Sequence, residues 1–272
     1  MKKTTLAQAS YDLIYREVLA GFSYTATADQ AAHLAYLITA VNRNRLNGSM
    51  GFITKSTHRG SGKSLGLAVG RVLAQGDDNA AMFQFNSTSD GATEQSLSRL
   101  LVAGGRFLHS DGSDRRSPQK SSVVTSVVTG VDGHDTARIS GGSNYVPISG
   151  VVVTATLEPG AYLNADLARR FLTVNLDGPV TGVRKQNLIG HVMENRDELN
   201  AALRAIFDAG QNNGPAHSVM NLGFNHNWGE RVLGALSHVE TDGRQTFAQV
   251  IAGQQNAEFV NGRRKELFSD AV

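Results

Sequence analysis

The 272-residue chain contains no cysteine, which excludes disulfide bonds, cysteine-based zinc sites and thiol nucleophiles. It also lacks an apolar run of about 18 residues, the length of a membrane span. The N-terminal sequence MKKTTLAQASYDLIY has no apolar block of the kind found in signal peptides. Charge is nearly balanced, with 26 Lys and Arg against 24 Asp and Glu, so any nucleic-acid contact must come from local clusters. We therefore expect a soluble protein of a cell interior that makes no membrane contact.

The apolar residues, 40% of the chain, alternate between strand and helix spacing. This alternation predicts an α/β fold with a mostly parallel, five-stranded sheet that is covered by helices. The predicted strands are Gly51 to Ser56, Ala81 to Asn86, Arg106 to Ser110, Val151 to Thr156 and Phe171 to Leu176. The helices between them are predicted at about 63–75, 91–103, 117–128 and 164–170.

The regions on either side of this core have helical spacing. It covers 6–21 and 28–42 before the core, and 195–209, 228–240, 244–254 and 257–268 after it. In the last region Trp228 is predicted to be a core anchor. Within the core, the stretch ARISGGSNYVPISG predicts a β-hairpin around two glycines. We divide the chain into an N-terminal helical segment (1–48), the α/β core (49–180) and a helical C-terminal subdomain (181–272).

The most informative stretch is GFITKSTHRGSGKS, residues 51–64, in which an apolar strand runs into a Gly-rich loop. A helix that begins inside such a loop directs backbone N–H groups and its dipole at one anion. Lys63 would reach the β- and γ-phosphates of a nucleotide, and Ser64 would bind Mg²⁺. Thr57 replaces the first glycine of GxxxxGK[ST], and an ordinary strand-to-helix connection is the alternative interpretation. The predicted nucleotide-binding residues are Gly60, Ser61, Gly62, Lys63, Ser64 and Leu65.

Because Mg²⁺ prefers oxygen ligands, an ATP site also needs an acidic residue at the end of a neighbouring strand. Asp111, which closes RFLHSD, is the best candidate, although Asp-Gly is also a common turn pair. Gly112 follows it, so no second carboxylate stands directly after Asp111. Glu94, near the start of a predicted helix, either approaches the γ-phosphate or complements the helix dipole.

Two further positions are candidates for contacts with the γ-phosphate. Thr156 ends the strand VVVTAT, where it could touch that phosphate or the attacking water, although β propensity alone explains a threonine there. Arg169 and Arg170 stand between a helical turn and a strand. An arginine in that place can stabilise transition-state charge on a phosphoryl group bound by a neighbouring subunit, and a surface pair is the alternative.

The predicted hairpin carries Arg138, Asn144 and Tyr145. A β-hairpin that projects into a ring can follow a nucleic-acid backbone, and these three residues are the candidates for that contact.

In this order the motifs resemble the P-loop ATPase domains of phage- and mobile-element-encoded primase-helicases, which are related to superfamily-3 helicases and the AAA+ class. The resemblance runs from REVLAGFSYTATADQAAHLAYLITAV through GFITKSTHRGSGKS, SDGATEQSLSRLL, RFLHSDG and ARISGGSNYVPIS to VVVTATLEPGAYLNADLARRFLTVNLD. It implies a three-layer P-loop NTPase fold of the AAA+ type, with ATP and Mg²⁺ as cofactors.

Carried over by position, the resemblance also assigns roles to residues. It implies a Walker A pair at Lys63 and Ser64, a Walker B acid at Asp111, an acidic residue near the nucleotide at Glu94, sensor 1 at Thr156 and an arginine finger at Arg170. Ser64 and Asp111 would hold the metal. The chain departs from the family at Gly112 and Thr156, where asparagine is common.

The function implied by the resemblance is an ATP-dependent DNA motor. It would be a replicative helicase of a phage, plasmid or integrated element, which hydrolyses ATP between the subunits of a homo-oligomer, a hexameric ring. Its partners would be single-stranded DNA and a primase or replication initiator, in the cytoplasm of a bacterium or a virus-infected host cell.

Two other hypotheses stay open. The departures at Gly112 and Thr156 favour a nucleotide-dependent assembly or adaptor ATPase with slow or no hydrolysis. A small-molecule kinase built on the same loop ranks last, because no substrate lid is recognisable and the arginine pair would have no use.

Overall fold

The computed structural model of the protein describes residues 5–83, 90–111, 122–129, 136–138, 145–159, 161, 163–181, 187–213, 226–241 and 245–253. In chain order its strands are β1 (Gly51–Ser56), β2 (Ala81–Phe83), β3 (Phe107–Asp111), β4 (Thr136–Arg138), β5 (Tyr145–Pro147), β6 (Val152–Leu157) and β7 (Phe171–Leu176). Its α-helices are α1 (Leu6–Glu17), α2 (Thr27–Asn42), α3 (Lys63–Gln75), α4 (Asp90–Val102), α5 (Ser122–Thr129), α6 (Ala165–Ala168), α7 (Leu188–Glu194), α8 (Arg196–Asn213), α9 (His226–Trp228) and α10 (Gly234–Leu236). Tighter 3₁₀ turns occur at Leu19–Gly21 and Arg43–Arg45, and a π-helical turn at Gly229–Leu233 joins α9 to α10.

The central sheet contains five strands in the order β2-β3-β6-β1-β7, and every neighbouring pair is parallel. The predicted five-stranded, mostly parallel sheet is therefore confirmed. The bounds of β1 and β7 are those predicted, while β3 and β6 are each shifted by one residue. The predicted second strand reaches into residues 84–86, which lie outside the described residues. Since β6 separates β1 from β3, its residues can contact side chains on both.

Helices cover both faces of this sheet. Because strand side chains alternate, Phe52, Val152 and Leu172 point into one core with α1, α2, α3 and the C-terminal helices. Ile53 and Val153 point into a second core with α4, α5 and α6. Burial on both faces explains why apolar residues stand at consecutive positions in these strands, as at Phe52 and Ile53 and at Val152 and Val153.

The predicted helices are mostly found where the spacing places them. The bounds of α3 are as predicted, whereas α6 is shorter than the predicted 164–170 because both ends are capped. The Asn164 side chain accepts a hydrogen bond from the N–H of Leu167 at 3.0 Å, which starts the helix at Ala165. Residues 6–21 form α1 followed by a 3₁₀ turn. The predicted helix at 257–268 lies outside the described residues.

The C-terminal helices join the first core rather than packing only on one another. Trp228 is fully buried, and its indole N–H donates to the Thr39 hydroxyl of α2 at 2.9 Å. Its ring centroid lies 6.4 Å from that of Phe52 on β1. Trp228 is thus a core anchor, as predicted. The segment boundaries at 48 and 180 stay a prediction.

The predicted hairpin is present as an antiparallel pair of β4 and β5, in which Arg138 lies opposite Tyr145. Residues 139–144, including Asn144, lie outside the described residues. Within the part of the chain that the structure describes, no helix is both long and apolar enough to cross a membrane.

Candidate functional site

The candidate site lies at the carboxyl edge of the parallel sheet, where open α/β sheets bind their ligands. Strand β1 ends at Ser56, residues 57–62 form a loop, and α3 begins at Lys63. The loop borders a pocket of about 540 Å³, within the usual range of roughly 300–1,000 Å³ for small-molecule sites. The pocket is lined by every residue from 56 to 65 together with Glu158 and Pro159.

Two glycines give the loop its shape. Gly60 and Gly62 have φ angles of 73° and 84°, in the left-handed region that other residues rarely adopt. A Cβ added to Gly62 would lie 2.3 Å from Cγ2 of Val180, whereas a Cβ added to Gly60 would meet nothing within 4 Å. Glycine is therefore required at position 62 by the backbone conformation and by the contact with Val180. At position 60 it is required by the backbone conformation alone.

The first turn of α3 faces this pocket. The N–H of Gly66 donates to Gly62 O at 2.8 Å, and the N–H of Val180 donates to Gly60 O at 3.2 Å, so the carbonyl oxygens of both glycines already accept hydrogen bonds. The Thr54 hydroxyl donates to Lys63 O at 3.3 Å. N–H groups in the first turn of a helix have no partner within the helix and, with the dipole, form a site for an anion.

Lys63 does not stand alone in this pocket. Its ammonium nitrogen lies 3.8 Å from Oε1 of Glu158, and the two side chains are 21% and 44% exposed. Glu158 follows the last residue of β6 directly. Sequence reasoning missed it, although a charged residue two positions after Thr156, at the end of a buried strand, is a signal that could have found it.

Asp111 and Thr156 meet on neighbouring strands. They are register partners between β3 and β6, and the Thr156 hydroxyl donates a hydrogen bond to Oδ1 of Asp111. Thr156 is in turn the register partner of Thr54 on β1. Neighbouring strands are about 4.8 Å apart, so roughly 10 Å separates β1 from β3. The structure thus places Lys63, Ser64, Thr156 and Asp111 along one edge of the sheet.

Two residues before Asp111, the buried side chain of His109 on β3 contacts Thr154, its register partner on β6. Its Nδ1–H donates to the Thr154 hydroxyl at 3.0 Å, and that hydroxyl donates to Leu108 O at 3.2 Å. Burial, with a smaller contribution from the positive charge of Arg71, lowers the pKa of His109 to about 4. His109 is therefore neutral near pH 7. Its hydrogen bond to Thr154 links β3 to β6 two residues before the contact of Asp111 with Thr156.

A second buried histidine supports the loop from below. His33 on α2 donates its Nε2–H to Gly66 O at 3.2 Å and accepts from the Tyr24 hydroxyl at Nδ1 over 2.7 Å. Burial lowers the pKa of His33 to about 4, which keeps this ring neutral. A Cβ on Gly66 would lie 2.9 Å from Cε1 of His33, so the close approach of α2 requires glycine there. Sequence reasoning identified α2 as a helix but not this contact.

Residues next to the loop close the outer edge of the sheet. Tyr24 forms an antiparallel bridge with Leu176, and the buried carboxylate of Asp29 accepts from the N–H of Asn175 at 2.8 Å and from its side-chain amide at 2.7 Å. These contacts fix the end of β7. A second pocket of about 450 Å³ lies here, and it shares Ser56, Thr57, Glu158 and Pro159 with the loop pocket.

The arginine pair lies at the opposite edge of the sheet. Arg170 O accepts from the N–H of Gly51, the first residue of β1, at 3.0 Å. The six residues of β1, roughly 20 Å of strand, separate Arg170 from the loop of its own chain. The Arg169 side chain is 45% exposed and that of Arg170 is 12% exposed.

Asp166 holds both arginines. Its Oδ1 accepts from Arg169 at 2.7 Å and from Arg170 at 3.1 Å. Partial burial raises the pKa of Asp166, but the hydrogen bonds from Arg170 and Arg169 outweigh this effect and hold the pKa below its ordinary value. The carboxylate is therefore charged near neutral pH and fixes the orientation of the pair.

Four predicted site residues cannot be placed as side chains. Glu94 belongs to α4, and Arg138 and Tyr145 belong to the hairpin strands, but their side chains lie outside the described residues. Asn144 lies outside them entirely. The roles of these four residues stay predictions.

No protein-family model matches the chain. No curated protein matches its sequence either. Four solved chains match the structure, and one of them is described as "SCCmec type IV Cch - active helicase". It aligns with a TM-score of 0.40 and 12% sequence identity over 92% of this chain, and the aligned region is 50% of that chain. The protein thus spans half the length of that helicase, and its own function has to be inferred from its site.

Proposed function

We propose that the protein is an ATP-dependent, oligomeric DNA motor, a replicative helicase of a phage, plasmid or integrated element. The observation that carries this proposal is the arrangement at the carboxyl edge of the sheet. There Lys63 and Ser64 begin α3 beside a glycine loop. Thr156 lies near the end of β6, the neighbour of β1, and Asp111 ends β3, the next strand in the sheet. This is the set of groups that phosphoryl transfer requires, a phosphate cradle, a cation and a metal-binding carboxylate.

The residues of the pocket fit a nucleotide. The left-handed glycines turn the loop around the pocket, and the first turn of α3 offers N–H groups to phosphate oxygens. Lys63 adds one positive charge. Among the described residues no group of three or more His, Asp or Glu is arranged to hold a metal by itself. Ser64 and Asp111 would therefore hold Mg²⁺ together with phosphate and water oxygens, as this ion prefers. When bound, Mg²⁺ would neutralise charge on the β- and γ-phosphates.

Each residue at this edge then has a defined task. The N–H groups of α3 and the Lys63 ammonium bind and orient the phosphates. Thr156 fixes the orientation of the Asp111 carboxylate through its hydrogen bond. Asp111 supplies a carboxylate oxygen that would coordinate the metal or accept a hydrogen bond from a water.

The position of the arginine pair supports an oligomer. Because Arg170 lies at the far edge of the sheet, an arginine finger at this position acts on a phosphate bound by a neighbouring subunit. Arg169 stands beside it and is more exposed. We therefore place the ATP sites between the subunits of a homo-oligomer, a hexameric ring.

The hairpin supports a link between the site and DNA. Strand β5 ends at Pro147 and β6 begins at Val152, so a short connection joins the hairpin to the strand that carries Thr156. Thr156 lies near the other end of β6, and we propose that a change there during the ATP cycle passes along this strand to the hairpin. We propose that Arg138, Asn144 and Tyr145 contact single-stranded DNA there, and that a primase or replication initiator is the partner in the cell.

Single-turnover ATP hydrolysis, with and without single-stranded DNA, tests this function. We expect DNA to stimulate hydrolysis in the wild type and Lys63→Ala to abolish it. Lys55→Ala is the matched control, since Lys55 lies on β1 but does not line the loop pocket. Absence of stimulation together with full activity of Lys63→Ala would refute the motor.

A nucleotide-dependent assembly protein is the second candidate. Two residues favour it. Gly112 follows Asp111 directly, so no second carboxylate stands there, and position 156 is a threonine. Mass measurement with a non-hydrolysable ATP analogue separates the two. Assembly on the analogue without DNA-stimulated hydrolysis would identify the assembly protein.

A further inference from the structure

Glu158 shares the loop pocket with Lys63, and nothing in the motor mechanism above uses it. We propose that the Glu158 carboxylate competes with nucleotide phosphates for the Lys63 ammonium and thereby lowers the affinity of the site for ADP and ATP. This inference rests on the proposed nucleotide site, because it concerns the lysine that would bind the phosphates.

The backbone of Glu158 is fixed beside the loop. The last register pair between β1 and β6 is Lys55 with Leu157, so Glu158, the residue after β6, lies beside the end of β1, where the loop begins. The N–H of Ala161 donates to Glu158 O at 3.0 Å. Pro159, which follows, has a restricted φ. The position of Glu158 is therefore built into the sheet edge.

The Glu158 side chain lies between two pockets. It is 44% exposed, and Glu158 lines both the loop pocket and the neighbouring pocket of about 450 Å³. A carboxylate displaced from Lys63 can therefore turn towards the second pocket without a change in the backbone.

The competition follows from the charges. A phosphate bound to Lys63 brings negative charge to within a few ångströms of Glu158, so binding must both separate the pair of Lys63 and Glu158 and bring two anions together. Partly exposed ion pairs are weak, and we therefore expect a modest effect. Removal of the charge in Glu158→Gln, which keeps the size of the side chain, should tighten ADP binding about two- to fivefold.

Calorimetric titration of the full chain with ADP and Mg²⁺ tests the inference. Asp177→Asn is the matched control, because Asp177 is an exposed carboxylate near the loop that lies 3.7 Å from His58 rather than beside Lys63. We expect Glu158→Gln to bind ADP more tightly than the wild type and Asp177→Asn to differ by less than about twofold. We expect the double variant Lys63→Ala/Glu158→Gln to bind no more tightly than Lys63→Ala. The gain in Glu158→Gln should also shrink as salt is raised, because salt screens exposed charges.

The outcomes separate this inference from the proposed function. Wild-type binding that Lys63→Ala weakens and Glu158→Gln leaves unchanged would refute the competition and leave the nucleotide site standing. Equal increases in ADP affinity in Glu158→Gln and Asp177→Asn would also refute it, since the effect would then come from the net charge of the protein and not from the contact with Lys63. ADP binding by Glu158→Gln alone would support it. Absence of binding by both the wild type and Glu158→Gln would refute the site and the inference together.

Discussion

The hydroxyl of Thr156 donates a hydrogen bond to Oδ1 of Asp111 across the boundary between β6 and β3. Thr156 is buried, whereas Asp111 is exposed at the end of its strand. A buried donor holds an exposed carboxylate in one orientation. Thr156 therefore orients the Asp111 carboxylate for a ligand at the carboxyl edge of the sheet. Hydrogen bonds to charged groups contribute about 1.5–3 kcal/mol, enough to affect both orientation and rate.

Removal of this donor should slow hydrolysis. Thr156→Val keeps the shape of the side chain but loses the hydroxyl, and we expect the rate of ATP hydrolysis to fall by about tenfold or more. Binding of ADP should change little. Thr156→Ser, which retains the hydroxyl, is the control and should keep most of the activity. Equal rates for the valine and serine variants would show that the hydrogen bond has no part in the reaction.

Substitutions at the two loop glycines should differ in stability. Gly62→Ala meets both an unfavourable φ of 84° and a contact of 2.3 Å with Val180, whereas Gly60→Ala meets only the unfavourable φ. We expect Gly60→Ala to lower the free energy of unfolding by about 1–2 kcal/mol and Gly62→Ala to lower it by several kcal/mol. Urea unfolding measures both. Similar losses would mean that Val180 moves aside easily.

Acid should destabilise the fold through His33. Its pKa is lowered from 6.5 to about 4 by burial, so the unfolded chain takes up the proton before the folded one does. The stabilisation is thus complete above about pH 6.5 and is lost as the pH falls towards 4, with an upper limit of about 3 kcal/mol. We expect His33→Gln to show a weaker fall in the free energy of unfolding between pH 7 and pH 4.5 than the wild type. An unchanged pH profile would show that His33 is not the group that titrates.

Much of the sheet and the loop could be predicted because the information for them is local. Six-residue apolar strands and a loop with glycine, lysine and serine leave a clear pattern, and β1, β7 and α3 have their predicted bounds. The sequence also predicted that Asp111 and Thr156 follow or end apolar strands, but it did not predict that the two residues are register partners.

The contacts that sequence reasoning missed join residues far apart in the chain. Glu158 approaches Lys63 only because β6 is inserted beside β1, and His33 reaches Gly66 only because α2 packs closely on α3. Periodicity shows that a residue is buried or exposed but not what it touches. The spacing of Gly66 and Gly70 in α3 was the available hint, since glycines are unfavourable inside a helix unless another element approaches closely.

A mixing experiment tests whether the site is shared between subunits. Lys63→Ala should lack nucleotide binding in its own loop, and Arg170→Ala should lack the finger for a neighbour. We expect each variant to be inactive alone and a mixture of the two to regain part of the ATPase activity, because mixed rings contain some intact sites. Mixtures that stay inactive while assembling normally would contradict a site made by two subunits. Arg169→Ala, measured alongside, shows how far the more exposed arginine contributes.

The most direct test of the account is a structure of the protein with Mg²⁺ and a non-hydrolysable ATP analogue. We expect the phosphates to lie at the first turn of α3 against Lys63, with Mg²⁺ between Ser64 and Asp111. We also expect an arginine of a neighbouring subunit, from the pair at 169 and 170, to approach the γ-phosphate. A nucleotide bound away from the 57–62 loop, or a complete site with no second chain beside it, would contradict the proposed motor.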